Sequence, residues 1–285
     1  MSGFIQHFLI SLRLNFRNIQ ALVFGYFVPV FFLFAFKGLY ATRPPLMREF
    51  GQLLTISTMG GACFGLPVTL VSERDRGVWR RYRLAPMPTV WFMTSVLLAR
   101  FAMIASSALV VFGVALAMGM PVPARPGELI AAYSVSAFAF LSLGIVIAML
   151  ANNTGAVQAM GQCLFLPMII LGGVGVKLSS LPEWARVASS FLPSNYSVCV
   201  MTECIIPKTG TGLHTHQAYF DLLALTLIGL SCCLIGVKLF RWEPEQKNSR
   251  GAIAWAMGAL LVWAAIGGVA IKFGLNHAGR LIHLF

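Results

Sequence analysis

"ERDRGVWRRYRLAPMP", residues 73–88, is the stretch on which the reading of this chain turns. Charged residues make up only 11% of the 285 positions, yet Glu73, Arg74, Asp75, Arg76, Arg80, Arg81 and Arg83 crowd together here with Trp79 and Tyr82 between them. Apolar sequence lies on both sides, about 50–72 before the patch and about 90–118 after it. Each run is long enough for the ~20 residues with which a helix crosses the hydrocarbon core. The patch is therefore a short, dense connection between two crossing segments.

The rest of the chain agrees. Apolar residues reach 58% and mean hydropathy is +0.80, while the charged fraction is about half the usual quarter of a globular protein. These values exclude an ordinary soluble domain and predict an all-α, multi-pass membrane protein. Further spans are expected at about 19–36 (with Pro29 inside), 129–151, 155–176 and 218–240, and a seventh apolar run follows at 252–271. The third run, 90–118, exceeds the membrane thickness and implies tilt or an end outside the bilayer.

Residues 4–17, "FIQHFLISLRLNFR", place Phe4, Ile5, Phe8, Leu9, Leu12 and Phe16 on one helical face and Gln6, Arg13 and Arg17 opposite. This predicts an amphipathic helix over 1–18 lying in the interface plane. Its charges follow the apolar residues and no cleavage site ends it, so it is not a signal peptide and is expected to be retained. The region 177–199 does not read as a simple span. Glycines at 172, 173 and 175 break the preceding run, Ser180 and Glu183 stand at capping-box spacing, and Pro193 is expected to end the short helix they open. A hairpin that dips part-way into the membrane or lies on its surface is predicted there.

The net charge of +12 suits anionic headgroups; no nucleic-acid module accompanies it, and no nucleic-acid partner is expected. With the N-terminus on the cytosolic side, twelve Lys and Arg fall there and nine opposite, a bias carried mostly by 73–88. Cys63, Cys163, Cys232 and Cys233 lie in apolar runs and act as small apolar side chains. Cys199 and Cys204 flank a non-spanning segment and could pair if it faces an oxidising compartment.

Searches for chemistry fail in an informative way. "HTH" at 214–216 has no third ligand at metal spacing, and no HExxH or GxSxG occurs. Neither a catalytic site nor a metal site is expected. The nine acids sit in loops or at span ends, Asp221 being nearest the membrane as a snorkelling end residue, so no proton or sodium path is evident. No GxxxxGK[ST] cradles a nucleotide. A transporter built this way takes its energy from a separate ATPase, and the alternative is an ion-coupled secondary transporter acting without one. On a helix over 74–84, Val78, Trp79 and Tyr82 share one arc and Arg76, Arg80 and Arg83 the next, which suits a partner's groove and its carboxylates. The other reading is a positive-inside anchor that touches only lipid.

With these residues in view, the chain resembles the type-2 ABC exporter permeases. "ERDRGVWRRYRLAPMP" is similar to that family's E-R-x-x-G-x-x-R-R signature between its second and third spans. "NNTGAVQAMGQCLFLPMIILGG" (152–173) resembles its passage into the fifth span, and "LSSLPEWARVASSFLPSNY" (178–196) its LP-x-W…LP-x-x-Y segment. The resemblance covers about 1–240. It implies a six-span transmembrane domain over 19–240 with an N-terminal interfacial helix and short re-entrant helices after the fifth span (Ser180, Pro182, Glu183, Trp184, Pro193, Tyr196). It also implies a coupling helix over 74–84 that meets a cytosolic ABC ATPase through Glu73, Arg74, Arg76, Gly77, Val78, Trp79, Arg80, Arg81, Tyr82 and Arg83. Glu73, Arg74, Gly77, Arg80 and Arg81 match the signature itself. ATP and Mg would be bound by that partner and no cofactor by this chain. A second permease subunit would complete the pair, in the plasma (inner) membrane of a bacterium. Residues 241–285 depart from the family as a linker and a seventh apolar run, which is expected either to cross the membrane beside the core through the small-residue stripe Ala252, Ala256, Ala259 and Gly267 or to lie in the interface. Phe24, Tyr26, Phe27, Phe31, Phe32, Phe64 and Phe165, on the first, second and fifth spans, are the candidate lining of a pathway for an amphipathic or lipid-like cargo, although any one of them can equally be a packing aromatic.

Overall fold

A computed structural model describes residues 2–39, 46–47, 49–79, 89–206, 213, 215–240 and 250–272, and the described residues contain helices and turns but no strand. The helices are α1 (Ser2–Arg17), α2 (Ile19–Leu22 continuing through Val23–Phe27 and Val28–Leu39), α3 (Phe50–Gly60 continuing through Gly61–Gly65 and Leu66–Asp75) and α4 (Thr89–Ala117). They are followed by α5 (Pro126–Leu150), α6 (Thr154–Ile170), α7 (Glu183–Ser189), α8 (Pro193–Ile205), α9 (His216–Lys238) and α10 (Arg250–Lys272). Four of these, α3, α4, α5 and α9, are long and apolar enough to cross a membrane. The 17 residues of α6 rise about 26 Å, just under the ~30 Å core, before the chain turns at 171–176.

α3 is the axis of the bundle, buried on all sides and touching α2, α4, α5, α6 and α8. Its composition explains why it can be. Small and hydroxylated residues allow close approach, and Thr55 and Thr58 return their hydroxyls to the carbonyls of Gly51 and Leu54 one turn back. What remains polar is shared across helices: Ser57 with Ser107 of α4 at 3.0 Å, and Thr55 with Ser197 of α8 at 3.0 Å.

α2 and α3 each contain one π-helical turn, Val23–Phe27 and Gly61–Gly65. Each turn is followed two residues later by a proline, Pro29 and Pro67. Proline has no N–H to give the carbonyl four residues back, so Gly25 and Cys63 lose their helical donors. The wider π turn spreads that defect, and the Ser107 hydroxyl donates to the Gly25 carbonyl to repair it. Pro167 stands inside α6 in the same relation to Cys163.

α5 and α9 pack along each other, and α10 runs beside α9, where Phe191 seats against Gly267. Of the small-residue stripe expected on α10, only Gly267 has its surroundings described.

Three local expectations are corrected. Ser180 does not cap a helix: it lies in a 3-10 turn, its hydroxyl donates to Lys177 O, and α7 starts after Pro182. Pro193 does not end that helix but opens the next, α8, where the first turn has no need of the missing N–H. Cys199 and Cys204 form no disulfide: both are buried on α8, five positions apart on one helix, which keeps their sulfurs from meeting.

On α1, Gln6, Arg13 and Arg17 are exposed and Phe4, Phe8 and Leu12 are half-buried. α1 packs lengthwise on α4, and the stripe it buries is His7, Ser11 and Asn15, four residues apart. Ile5, Leu9, Ile10, Leu14 and Phe16 face outward. The polar stripe goes inward because α4 presents it with Ser95 and Arg100.

Candidate functional site

The 73–79 segment begins where α3 stops. Arg76 N–H bonds Ser72 O at 3.1 Å and Gly77 N–H bonds Arg74 O at 3.0 Å, while Gly77 takes φ +71°, a left-handed cap that only glycine enters freely. The helix is interrupted there, so the continuous helix expected over 74–84 is broken at 76–77. Val78 and Trp79 are helical again, and Arg80, Arg81, Tyr82 and Arg83 lie outside the described residues.

Two members of the predicted docking set turn inward. Arg74 is 2% exposed, and its guanidinium reaches the C-terminal end of α5, donating to Ala151 O at 2.6 Å and Ala148 O at 3.3 Å. Helix ends leave such carbonyls without intrahelical donors and carry partial negative charge, so a buried cation is well placed there. Trp79 is 0% exposed; its ring stacks on Phe240 at 5.4 Å and meets Phe92 edge-on at 5.9 Å. Glu73 is half-buried with the Trp79 indole against it. Asp75 and Arg76 are exposed, and Gly77 and Val78 half-buried. Arg74 and Trp79 therefore join this turn to α4, α5 and the end of α9 instead of presenting themselves to a partner.

Phe92 has a second neighbour. The His7 ring of α1 lies 5.0 Å from it, and Nδ1 of His7 shares a 2.6 Å hydrogen bond with the Ser95 hydroxyl. Phe4 and Trp91 extend the contact at 6.0 Å. Burial holds the His7 imidazole below its ordinary value of 6.5. Freed from α4, His7 would bind a proton more readily than it does when docked, so docking is strongest above that value and weakens as pH falls. The protection of α1 amides, their exchange normalised to the intrinsic rate at each pH, is expected to fall as pH is lowered from about 7.5 to about 5.5, the range in which imidazoles titrate. His7→Phe should flatten that dependence; an unchanged slope in the variant would assign it to another group.

The seven aromatic residues on α2, α3 and α6 divide into three groups. Phe24 stacks on Phe64 at 4.2 Å, and Phe165 closes edge-on against both, at 6.5 and 5.0 Å. These three meet where the three proline-bearing helices converge. The Tyr26 hydroxyl shares a 2.6 Å hydrogen bond with Ser106 of α4. Phe27 and Phe31, 66% and 58% exposed, stack on the outer face of α2, with Phe32 packed between Phe31 and Phe36. An apolar cleft of about 380 Å³ lies instead between α3, α4 and α5, lined by Phe50, Leu54, Phe101, Phe112, Leu129 and Tyr133.

At the opposite end from 73–79, α3 is tied to the region after α6. Gln52 donates to Gly173 O at 2.8 Å, and Glu49 faces Lys177 at 3.7 Å. Of the residues marked in that region, Pro182, Glu183 and Trp184 are exposed, whereas Pro193 and Tyr196 are buried on α8 and the Tyr196 hydroxyl donates to Ser190 O. Asp221 is wholly buried in α9 and does not snorkel, because α8 covers that turn and brings Tyr196 beside it. Among the described residues no three His, Cys, Asp or Glu side chains gather as metal ligands. Ser57, Ser107, Phe92, Phe240 and Arg100 escaped the sequence reading; Pro29, four residues after Gly25, was the one signal available for Ser107.

The ABC-2 type transporter family matches residues 6–205, reaching from α1 to the end of α8. No curated protein matches the chain, and no solved structure does. The matched region contains the 73–79 turn, the three proline-bearing helices and the region after α6. The chain is a multi-pass membrane protein of the ABC-2 type transporter family.

Proposed function

We propose that this chain is the permease subunit of an ATP-driven exporter that moves an amphipathic or lipid-like cargo outward by alternating access. ATP and Mg act on a separate cytosolic ABC ATPase, a second permease subunit completes the transporter, and the N-terminus faces the cytosol of a bacterium. The observation that carries the reading is the 73–88 segment. Five arginines and two aromatics occupy one short connection, and its first residues are bolted to three helices through Arg74 and Trp79. A push on such a connection would move the ends of α4, α5 and α9 together, which is what a motor needs from its point of attachment. The acid-poor, aromatic-rich α2, α3 and α6 favour a greasy cargo over a small ion. Among the described residues the buried carboxylates Glu49, Glu203 and Asp221 lie near helix ends, Glu49 facing Lys177 and Glu203 accepting from Thr215, an arrangement that offers a secondary carrier no ladder across the bundle.

Purification of the tagged chain in mild detergent tests the attachment. A P-loop ATPase of roughly 200–300 residues, a common size for one such domain, is expected to co-purify. Proton-driven flux by the chain alone in liposomes would instead establish the secondary carrier.

A further inference from the structure

Arg100 lies in the first half of α4 and is 0% exposed. Nε donates to Gly61 O at 3.1 Å, Nη1 donates to Asn15 Oδ1 at 3.1 Å and sits 3.3 Å from Met103 Sδ, and Nη2 has no partner among the described residues. No carboxylate is among these partners. A guanidinium placed inside a bundle without a counter-charge is costly, and such residues persist in membrane proteins where they have work to perform.

Its partners say what that work is. Gly61 is the residue whose carbonyl opens the π turn of α3, already accepting from Leu66 N–H. Asn15 is the last residue of the polar stripe that seats α1. A Cβ at Gly65, at the other end of the same π turn, would fall 1.0 Å from Nη2, so glycine there makes the room in which the guanidinium sits. One side chain thus touches the N-terminal helix and both ends of the π turn in the axial helix. π turns are local irregularities that recur at functional positions, and this one adjoins the π turn of α2 through the Phe24–Phe64 stack.

We propose that Arg100 is a positioning residue that couples α1 to the middle of α3, so that the seating of α1 and the shape of the Gly61–Gly65 turn change together. The coupling needs a planar fork with separate donors for Gly61 and Asn15, which an ammonium does not provide. It is independent of any ATPase and would stand if the chain proved to be a secondary carrier.

Amide hydrogen exchange of the full chain in lipid nanodiscs tests it. Arg100→Met is expected to raise exchange at least about tenfold in both 2–17 and 61–66, with α5 and α9 unchanged. Arg100→Lys should release at least one of the two segments. Asn15→Leu keeps the guanidinium on Gly61 and should free α1 alone, which provides a test even if Arg100→Met fails to fold. Asn15→Asp gives the guanidinium a carboxylate and should slow exchange in both segments together. Unchanged α1 exchange in Asn15→Leu, or a uniform rise across all helices in Arg100→Met, would overturn the coupling.

Discussion

Reversing charge at both Arg80 and Arg81 is expected to abolish recovery of an ATPase with this chain while leaving the chain in the membrane. Truncating one partner of a buried, hydrogen-bonded charge pair costs about 2–5 kcal/mol. Two reversals, which add repulsion, should weaken docking by roughly a thousandfold or more. Arg74 is already committed to Ala148 and Ala151 within the fold, so the docking energy should rest on the arginines that follow it. Insertion should survive, since Arg74, Arg76 and Arg83 keep the same end basic. Two measurements separate the effects: ATPase co-purification, and retention of the chain in carbonate-washed membranes as a check on insertion. Reversal of Arg13 and Arg17 on α1 is the control that should leave recovery unchanged. Unaltered recovery of the ATPase in the Arg80/Arg81 variant would return this segment to the simpler role of a lipid-facing anchor.

Arg74→Met should destabilise the bundle by about 2–4 kcal/mol, because it removes two hydrogen bonds from a charged donor and leaves carbonyls at the end of α5 without them. Methionine keeps most of the apolar stem, so the loss reports the guanidinium more than a cavity. Arg74→Lys should recover only part of it, as one ammonium fits the paired carbonyls less well than a fork. Reversible unfolding in mixed micelles reads the difference. If the proposed transmission holds, the variant should also bind an ATPase normally while ATP hydrolysis no longer drives cargo movement. A variant as stable as wild type would show that the α5 end is satisfied in another way.

The large-scale plan was legible because it rests on composition and length. Apolar runs of about twenty residues between polar breaks can be little else than helices in lipid, and the 73–88 patch stood out against that background. Side-chain destinations were less legible for a physical reason. Arg74 and Arg76 are the same residue type two positions apart, and nothing local tells that the first meets a helix end while the second stays exposed. The same holds for Trp79, whose burial depends on Phe92 and Phe240, 13 and 161 positions away.

α1 makes the point most sharply. Its helical wheel is amphipathic, and the rule that the apolar face goes inward assumes water outside. Here the stripe His7, Ser11 and Asn15 turns inward because α4 presents Ser95 and Arg100, Phe4, Phe8 and Leu12 are half-buried beside it, and Ile5, Leu9 and Phe16 are left to the surroundings.

By itself, then, the sequence determined that the chain is helical and membrane-spanning, where most of its helices begin and end, and that its charge is concentrated in one connection. Only the tertiary structure decided which side chains in that connection hold the fold, that three proline-bearing helices meet at Phe24, Phe64 and Phe165, and that a buried guanidinium joins α1 to the π turn of α3. Hydropathy and helical period are properties of neighbours in the chain. A hydrogen bond from Arg100 to Asn15 or Gly61 is made between helices, and it exists only once the bundle has brought them together.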